Sequence, residues 1–463
     1  MTTELRVKYG RASTVTADSL RLATELDRGA AVYFDGFATH PVPTARALAA
    51  VAEVAATRYY EPSAMIAARI RAADPVVTAE DDRLRFESFS LCAGVHARLD
   101  LVEDGLDVRA AAPGTTNVDF NPPVRAALSK LTRRDPLRLT VGPDAVTVET
   151  LDDTVVERRV PLPERWVKGF GEVQVALADG APVLELGQVA ARRFLDALPG
   201  GALGKTTAWA VPAAGAVRLA SAWRPGAVCV AGTGRLRLLQ PLARSATGLR
   251  AYADPDATTP SAVAWVVSIP GGRISLTLSP EPSRGFSGEG GLLLDLVSAA
   301  AEADAPTLLD AMVGRTRFTL QEAAAAAGVD ERRAAAALTR LGAHGHLGFD
   351  AAEQAYFLRH LPYPDELLRA DPPRLRDARE LAAAGAVRPH PDGGSLVTSG
   401  RSEYRAVLEP DGFRCTCPWS ARHGTSRGPC KHVLAVALSG AADGSEAGFS
   451  PAQADPRRAS GQG

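Results

Sequence analysis

Three of the five cysteines in this 463-residue chain lie close together near its C-terminus, and a histidine follows the third of them. Cys415 and Cys417 are separated by one residue, and Cys430 and His432, after twelve intervening residues, are again separated by one. Three thiolates and one imidazole fill the tetrahedral shell of a structural zinc site and leave no position open for catalysis. The spacing therefore predicts one structural Zn²⁺ ion held by these four residues.

The sequence around the first pair predicts a β-hairpin. The segments Tyr404–Leu408 and Phe413–Cys415 flank Asp411-Gly412, a dipeptide that favours a hairpin turn. Residues i and i+2 of a strand point to the same face, so Cys415 and Cys417 are expected to approach one metal from a strand that ends at Pro418.

The sequence around the second pair predicts the start of a helix. Pro429 suits a first helical position, an apolar face extends to Leu438, and Gly440 is a stop signal. Cys430 is expected in the turn before this helix and His432 in its first turn.

These residues resemble the SWIM-type zinc finger, in which C-x-C and C-x-H pairs lie on a β-β-α unit. Phe413–Trp419 and Gly428–Leu438 carry the resemblance. The family implies zinc at the four ligands and a role in binding DNA or other proteins. The rest of the chain looks like a stand-alone actinobacterial SWIM protein. Such proteins accompany MoxR-type ATPases and von Willebrand A-domain proteins, which implies partners of that kind.

Composition excludes some classes of protein. No run approaches the roughly 20 apolar residues needed to span a bilayer, and the first eight residues lack the apolar core of a signal peptide. We therefore predict a cytoplasmic protein that does not engage a membrane. The formal net charge of −1 argues against strong nonspecific attraction to nucleic acid.

Residues 1–300 are predicted to form a mixed α/β region of unknown function. Two interpretations stay open: a single unit, or two subdomains divided near residues 190–200. Alternation of apolar and polar residues predicts half-buried strands, and helical patterns lie between them. The strands include Leu84–Phe89, Leu137–Val141 and Ala145–Glu149, and the helices include Thr44–Ala56 and Pro123–Leu131.

Residues 304–363 resemble a winged-helix domain. A helix over Pro306–Val313 precedes a second helix, for which Thr319 and Glu322 predict a capping box and Gly328 a stop. A third helix begins after Asp330, and two short strands follow it.

On that third helix, Arg332, Arg333 and Arg340 are the candidates for contact with nucleic acid. Winged helices also serve as protein-docking modules, so both types of partner stay open.

Residues 364–394 are predicted to be a linker that contains a short helix over Leu375–Ala384. Residues 395–440 are predicted to be the finger, and 441–463 a disordered tail. The whole chain is thus an α+β multidomain protein.

We find no enzymatic signature. Gly200–Thr206 is similar to a phosphate-binding loop, but Pro199 replaces its first glycine and a helical pattern precedes it. The sequence predicts a non-enzymatic interaction protein with no evident small-molecule substrate. Two interpretations remain: binding of nucleic acid through the winged helix, the finger or both, or a pure protein–protein adaptor working with a MoxR-type ATPase and a von Willebrand A-domain protein.

Overall fold

The structure is a computed structural model. It describes residues 14–16, 19–21, 32–59, 75–160, 164–201, 206–213, 215–286, 290–359, 361, 371–409, 412–425 and 427–442. The predicted tail lies outside these residues from position 443 onward, as do positions 364–370 of the predicted linker.

The chain contains both helices and strands, which confirms the mixed α and β composition. The helices are α1 Pro41–Ala56, α2 Pro122–Lys130, α3 Glu164–Ala178, α4 Gln188–Asp196, α5 Thr233–Leu236, α6 Ala299–Met312, α7 Leu320–Ala327, α8 Glu331–Ala343, α9 Pro373–Ala383, α10 Pro418–His423 and α11 Lys431–Ala442. The strands are β1 Thr14–Thr16, β2 Ser19–Arg21, β3 Phe34–Ala38, β4 Val76–Ala79, β5 Arg83–Phe89, β6 Val95–Val102, β7 Leu106–Ala111, β8 Gly114–Asn117, β9 Arg138–Val141, β10 Ala145–Glu149, β11 Thr154–Arg158, β12 Ala181–Gly187, β13 Thr207–Ala213, β14 Ala216–Ala220, β15 Val228–Ala231, β16 Gly248–Ala253, β17 Val263–Ile269, β18 Gly272–Leu278, β19 Leu347–Asp350, β20 Ala355–Leu358, β21 Val387–Pro389, β22 Ser395–Ser399, β23 Ser402–Glu409 and β24 Gly412–Cys415.

Two large sheets dominate the first 280 residues. One has the order β11-β10-β9-β3-β7 and the other the order β12-β16-β17-β18-β6-β5-β4-β8. Strand β18 pairs antiparallel with β6, so the eight-stranded sheet continues across the division considered near residues 190–200. Smaller sheets have the orders β1-β2, β14-β13-β15, β19-β20 and β21-β22-β23-β24.

The first apolar core lies between the two large sheets. Leu48 and Val51 of α1 are fully buried there with Phe86 of β5, Leu99 of β6 and Leu139 of β9. The predicted strands around residues 84–89, 137–141 and 145–149 are confirmed, since β9 and β10 pair in the predicted hairpin.

The opposite face of β5 and β6 carries charged residues, yet it is also buried. Arg85 donates to Asp100 at 2.7 Å and to Glu80 at 2.8 Å. Arg98 contacts Asp350 of the β19–β20 hairpin at 2.7 Å. We call this the sheet–hairpin network; its members are Glu80, Asp82, Arg83, Arg85, Glu87, Arg98, Asp100, Arg273, Arg317, Asp350, Glu353 and Arg359. It fixes the hairpin onto the sheet.

Residues 299–358 contain three helices followed by the β19–β20 hairpin, as the sequence predicts. Thr319 and Glu322 form the capping box of α7, Gly328 ends that helix in the left-handed conformation, and Asp330 caps α8. Helix α6 begins earlier than predicted because the Ser298 side chain caps it by accepting from Ala301 N. The winged-helix interpretation of these elements stays a prediction.

The segment predicted as a linker is folded in its described part. Helix α9 buries Leu375 and Ala378 in the same core as the finger, and β21 is the outer strand of the finger sheet. The predicted helix over Leu375–Ala384 is therefore present, and the difference from a linker is that its apolar face packs against the finger. The finger unit therefore comprises residues 371–442.

No helix in the described part of the chain is long and apolar enough to cross a membrane.

Candidate metal centre

The first two cysteines lie where a strand gives way to a helix. Cys415 ends β24 and faces Ala406 of β23 in the antiparallel register. The prediction that Cys417 lies on the same strand is wrong. Cys417 is the N-cap of α10, and its Sγ accepts a hydrogen bond from Ser420 N at 3.4 Å. Pro418 explains the difference, because its fixed φ suits the first turn of a helix.

The second pair lies at the start of α11, as predicted. Cys430 immediately precedes the helix and its carbonyl accepts from Leu434 N at 3.1 Å. His432 lies in the first turn. The short helix α10 and the Gly428-Pro429 turn bring this pair back to the first.

The four side chains form a compact cluster. Their ligand atoms all lie within 4.8 Å of one another. The Nδ1 atom of His432 is 3.8 Å from Cys415 Sγ and 3.9 Å from Cys430 Sγ. Zn–S bonds of about 2.3 Å and Zn–N bonds of about 2.0 Å in a tetrahedron separate ligands by nearly these distances. The residues thus fit one zinc ion, and these four ligands leave it no open coordination position.

Thiolate formation is favoured at Cys430. A hydrogen bond with Cys415 outweighs the effect of burial on the Cys430 thiol. Together with hydrogen bonds to His432 and Val433 N, it lowers the pKa of Cys430 to about 4. The same contact with Cys430, together with burial, raises the pKa of Cys415. Cys430 is therefore the thiol that ionises first in the metal-free cluster, and a cation is needed to hold the others as thiolates.

The imidazole of His432 is oriented by packing. Its ring centroid lies 4.6 Å from that of Tyr404 on β23. Its Nε2 is buried and has no hydrogen-bond partner among the described residues. Zinc-bound histidines usually donate from the second nitrogen to an acceptor, so here Tyr404 has the orienting role. Sequence spacing identified the ligand but gave no signal for this neighbour.

The finger unit is fixed to the rest of the protein beside the cluster. Cys417, Cys430 and Leu434 share an apolar core with the Leu292–Leu296 segment. Arg374 of α9 donates to the carbonyl of Arg427 at 2.7 Å, just before the second ligand pair.

The candidate nucleic-acid residues lie on α8, distant in sequence from the metal cluster. Arg333 binds both carboxylate oxygens of Asp304, at 2.7 and 2.8 Å. Arg340 donates to Leu296 O at 3.1 Å and lies 3.2 Å from Glu302. Arg332 is exposed.

Helix α8 also packs closely against α3. Gln174 Nε2 donates to Leu338 O at 2.9 Å. A Cβ added at Gly342 would overlap the Gln174 side chain, and one added at Gly171 would come within 2.8 Å of Ala343 Cα. No pattern in the sequence predicted this contact.

Comparison with known families gives one match, which covers the metal cluster. Residues 404–441 match the SWIM zinc finger. This agrees with the Cys415, Cys417, Cys430 and His432 geometry and confirms the resemblance stated from sequence. A search of the curated proteins finds no match.

Solved structures that are similar to about half of this chain include PCNA proteins. They include Proliferating Cellular Nuclear Antigen from Entamoeba histolytica, at 12% identity and a TM-score of 0.35, covering 54% of this chain and 99% of that one. The A. fulgidus PCNA bound by the C-terminal region of FEN-1 has 12% identity and a TM-score of 0.34, with coverage of 53% and 97%. The PCNA2–PCNA3 complex from Sulfolobus tokodaii has 8% identity and a TM-score of 0.35, with coverage of 54% and 99%.

Proposed function

We propose, from the match of residues 404–441 to the SWIM zinc finger, that the chain is a cytoplasmic, non-enzymatic interaction protein. One zinc ion stabilises the finger unit, which carries the binding surface. The cluster of three thiols and one imidazole supports this role, because a closed tetrahedral site stabilises a small domain but offers no position to a substrate.

We further propose that its main partners are proteins. The observation that carries this choice is the orientation of Arg333 and Arg340 on α8. A winged-helix protein reads DNA through side chains that its recognition helix presents to the groove. Here Arg333 is held by Asp304, and Arg340 by Leu296 O and Glu302. The winged-helix-like unit is therefore better suited to docking proteins.

The nature of the partner follows from the resemblance to stand-alone SWIM proteins. A MoxR-type ATPase or a von Willebrand A-domain protein is the class that we propose. This part of the proposal rests on the resemblance alone.

Nucleic acid is the second candidate, favoured by the charge of the finger unit. Residues 371–442 contain ten Lys and Arg against seven Asp and Glu, whereas the whole chain has a net charge of −1. A zinc ion bound by three thiolates has a net charge of about −1, which lowers the positive surplus of the finger unit by about one. Arg376, Arg401 and Arg422 are exposed and form no ion pair with a described residue. The surplus is small for a DNA-binding domain.

Two binding experiments on the zinc-loaded chain separate these candidates. Fluorescence anisotropy with labelled duplex and single-stranded DNA, titrated against salt, should show no submicromolar binding even at low salt. Size-exclusion chromatography with a purified MoxR-type ATPase should show a complex that chelation of zinc abolishes.

The contrary result is submicromolar DNA binding that weakens steeply with salt. Its assignment to the finger would require that Arg401→Glu with Arg422→Glu abolish it. Arg158→Glu is the matched control, since Arg158 is exposed on β11 outside the finger unit.

A further inference from the structure

Strand β7 has the features of a surface that another strand covers. It is the outer strand of the five-stranded sheet and pairs only with β3 among the described strands. Asp107–Ala111 are all exposed, on both faces of the strand, and Val108 retains 48% of its accessible surface. Edge strands present unpaired backbone groups, and proteins usually protect them with charged residues, especially lysine, or with proline, a β-bulge or a covering element. Strand β7 contains neither lysine nor proline, and its charged residues Asp107 and Arg109 repel only a strand that lacks the complementary charges.

The two charged side chains of β7 lack an ion-pair partner within the described part of the chain, although Arg109 lies over an aromatic ring. Asp107 and Arg109 form no ion pair with a described residue. The Arg109 guanidinium lies 4.7 Å from the centroid of the Phe37 ring, on the same face as the neighbouring Asp35. That carboxylate is already bound by Arg138 at 2.8 Å.

We infer that β7 pairs antiparallel with β7 of a second copy of this chain, about a two-fold axis through Val108. In this register each residue lies opposite the residue of the second copy that is equally far from Val108 in the other direction along the strand. Asp107 lies opposite Arg109 of the second copy and Arg109 opposite its Asp107. On the other face, which Val108 shares with Leu106, Val108 meets Val108. Opposite charges on one face and an apolar pair on the other are cross-strand pairs that stabilise antiparallel sheets.

Neighbouring registers lack this complementarity. Moving the axis by one residue toward the C-terminus places Arg109 opposite Arg109, and moving it toward the N-terminus places Asp107 opposite Asp107. Like charges directly opposite each other are destabilising. An axis between Val108 and Arg109 pairs both charges with uncharged residues. The charge pattern therefore specifies one register, centred on Val108.

The bulge in β7 does not prevent this pairing. The register against β3 shifts between Asp35 and Gly36, so that Arg109 is the extra residue. Side chains alternate regularly from Leu106 to Arg109, so Asp107 and Arg109 share one face and Val108 keeps the other despite the extra residue. A contact of two six-residue strands is below the roughly 1,200 Å² of a stable complex. We therefore expect a weak dimer with a Kd on the order of 0.1 mM.

Sedimentation analysis of the full zinc-loaded chain tests this inference through charge exchange. The wild type should approach dimer mass at about 0.5 mM protein and dissociate at high salt. Asp107→Arg and Arg109→Asp should each remain monomeric, because each places like charges opposite one another in two positions. An equimolar mixture of the two variants should form a heterodimer, and the double exchange D107R/R109D should restore the homodimer.

A matched control is Arg158→Asp, at the other edge of the same sheet, which should dimerise like the wild type. A monomeric wild type at low salt would overturn the inference. So would a mixture that associates no better than its separate components, or single variants that dimerise normally. The salt dependence of the wild type provides a test that needs no variant to fold. The inference is independent of the proposed adaptor function.

Discussion

Arg359, just after the β19–β20 hairpin, donates from one nitrogen to both carboxylate oxygens of Glu87 in β5, at 2.7 and 2.8 Å. The side chains are 3% and 1% exposed. Burial opposes the ionisation of Glu87, but Arg359, His96 and Arg85 outweigh it and lower the pKa of Glu87 to about 2. Burial lowers the pKa of Arg359 to about 10. Both groups are therefore charged at neutral pH, and the pair joins the hairpin to the sheet.

The substitution Glu87→Gln should strongly destabilise the protein. It removes the charge that compensates the buried guanidinium of Arg359 while preserving the size of the side chain. Breaking a buried ion pair by removing one partner costs about 3–5 kcal/mol. The measurement is the midpoint of urea denaturation, which should fall clearly.

The matched control is Glu409→Gln, because Glu409 pairs with Arg414 at 2.8 Å on the exposed surface of the finger. Surface pairs contribute about 0–1 kcal/mol, so its midpoint should stay close to that of the wild type. Equal effects of the two substitutions would contradict a stabilising role for the buried pair.

The same network predicts a loss of stability in acid. Arginines overcome the effect of burial and lower the pKa of Asp100 and Asp350 as well as that of Glu87. A carboxyl group with a lowered pKa in the folded state stabilises the protein above its unfolded pKa, about 4. That contribution disappears as the pH falls through the folded value. We expect the denaturation midpoint to fall between about pH 5 and pH 2.

Comparison with Glu87→Gln isolates this effect from acid release of zinc, because the variant keeps the metal cluster. The difference in midpoint between the wild type and the variant should shrink as the pH falls toward 2. A difference that is constant over this range would rule out ionisation of Glu87 as its cause.

The sequence predicted the strand that carries Glu87 but not its environment. Alternation over Leu84–Phe89 predicts one buried and one solvated face, whereas both faces of β5 are buried. Alternation of apolar and polar residues shows which positions of the strand are polar. It does not show that residues about 270 positions later in the chain supply the opposite charges. The long-range partners Asp350 and Arg359 could only be identified from the tertiary structure.

The metal ligands were predictable because their chemistry and spacing are local. All four lie within eighteen residues of sequence, and two turns bring them together. The attachment of the finger was not predictable, since Leu292–Leu296 and α9 contribute to its core from outside the matched residues. The sequence predicted a short helix within a linker, but it did not show that this helix packs into the finger core.

Substitution of Cys430 should remove the metal and loosen the whole finger unit. Cys430→Ala deletes the thiol that ionises most readily, and structural zinc sites contribute directly to folding. We expect one zinc per chain in the wild type and none in the variant by elemental analysis. Hydrogen exchange should increase in residues 371–442 and in 291–297, while β5 and β6 stay protected. Cys92→Ala is the control, because Cys92 is buried and does not belong to the cluster, so this variant should retain zinc. Equal zinc content in the two variants would disprove the assignment.

Gly428 should be required for attachment of the finger rather than for binding zinc. Its φ is +68°, and a Cβ added there would overlap the carbonyl oxygen of Gly290. Gly290 cannot simply move, because its N–H donates to Glu172 at 2.7 Å. Gly428→Ala should therefore separate the finger unit from the Leu292–Leu296 segment and increase hydrogen exchange there, with zinc still bound.

Gly424→Ala is the matched control for the strain that alanine introduces at a positive φ. Gly424 has φ 53° and ψ −128°, a conformation that disfavours alanine at a cost of about 1–3 kcal/mol. A Cβ there meets no atom within 4 Å. In Gly424→Ala, hydrogen exchange should increase only around residues 418–425. If both variants expose 291–297 equally, general loosening of the finger is the cause; if only Gly428→Ala does so, the close approach of Gly428 to Gly290 holds the finger in place.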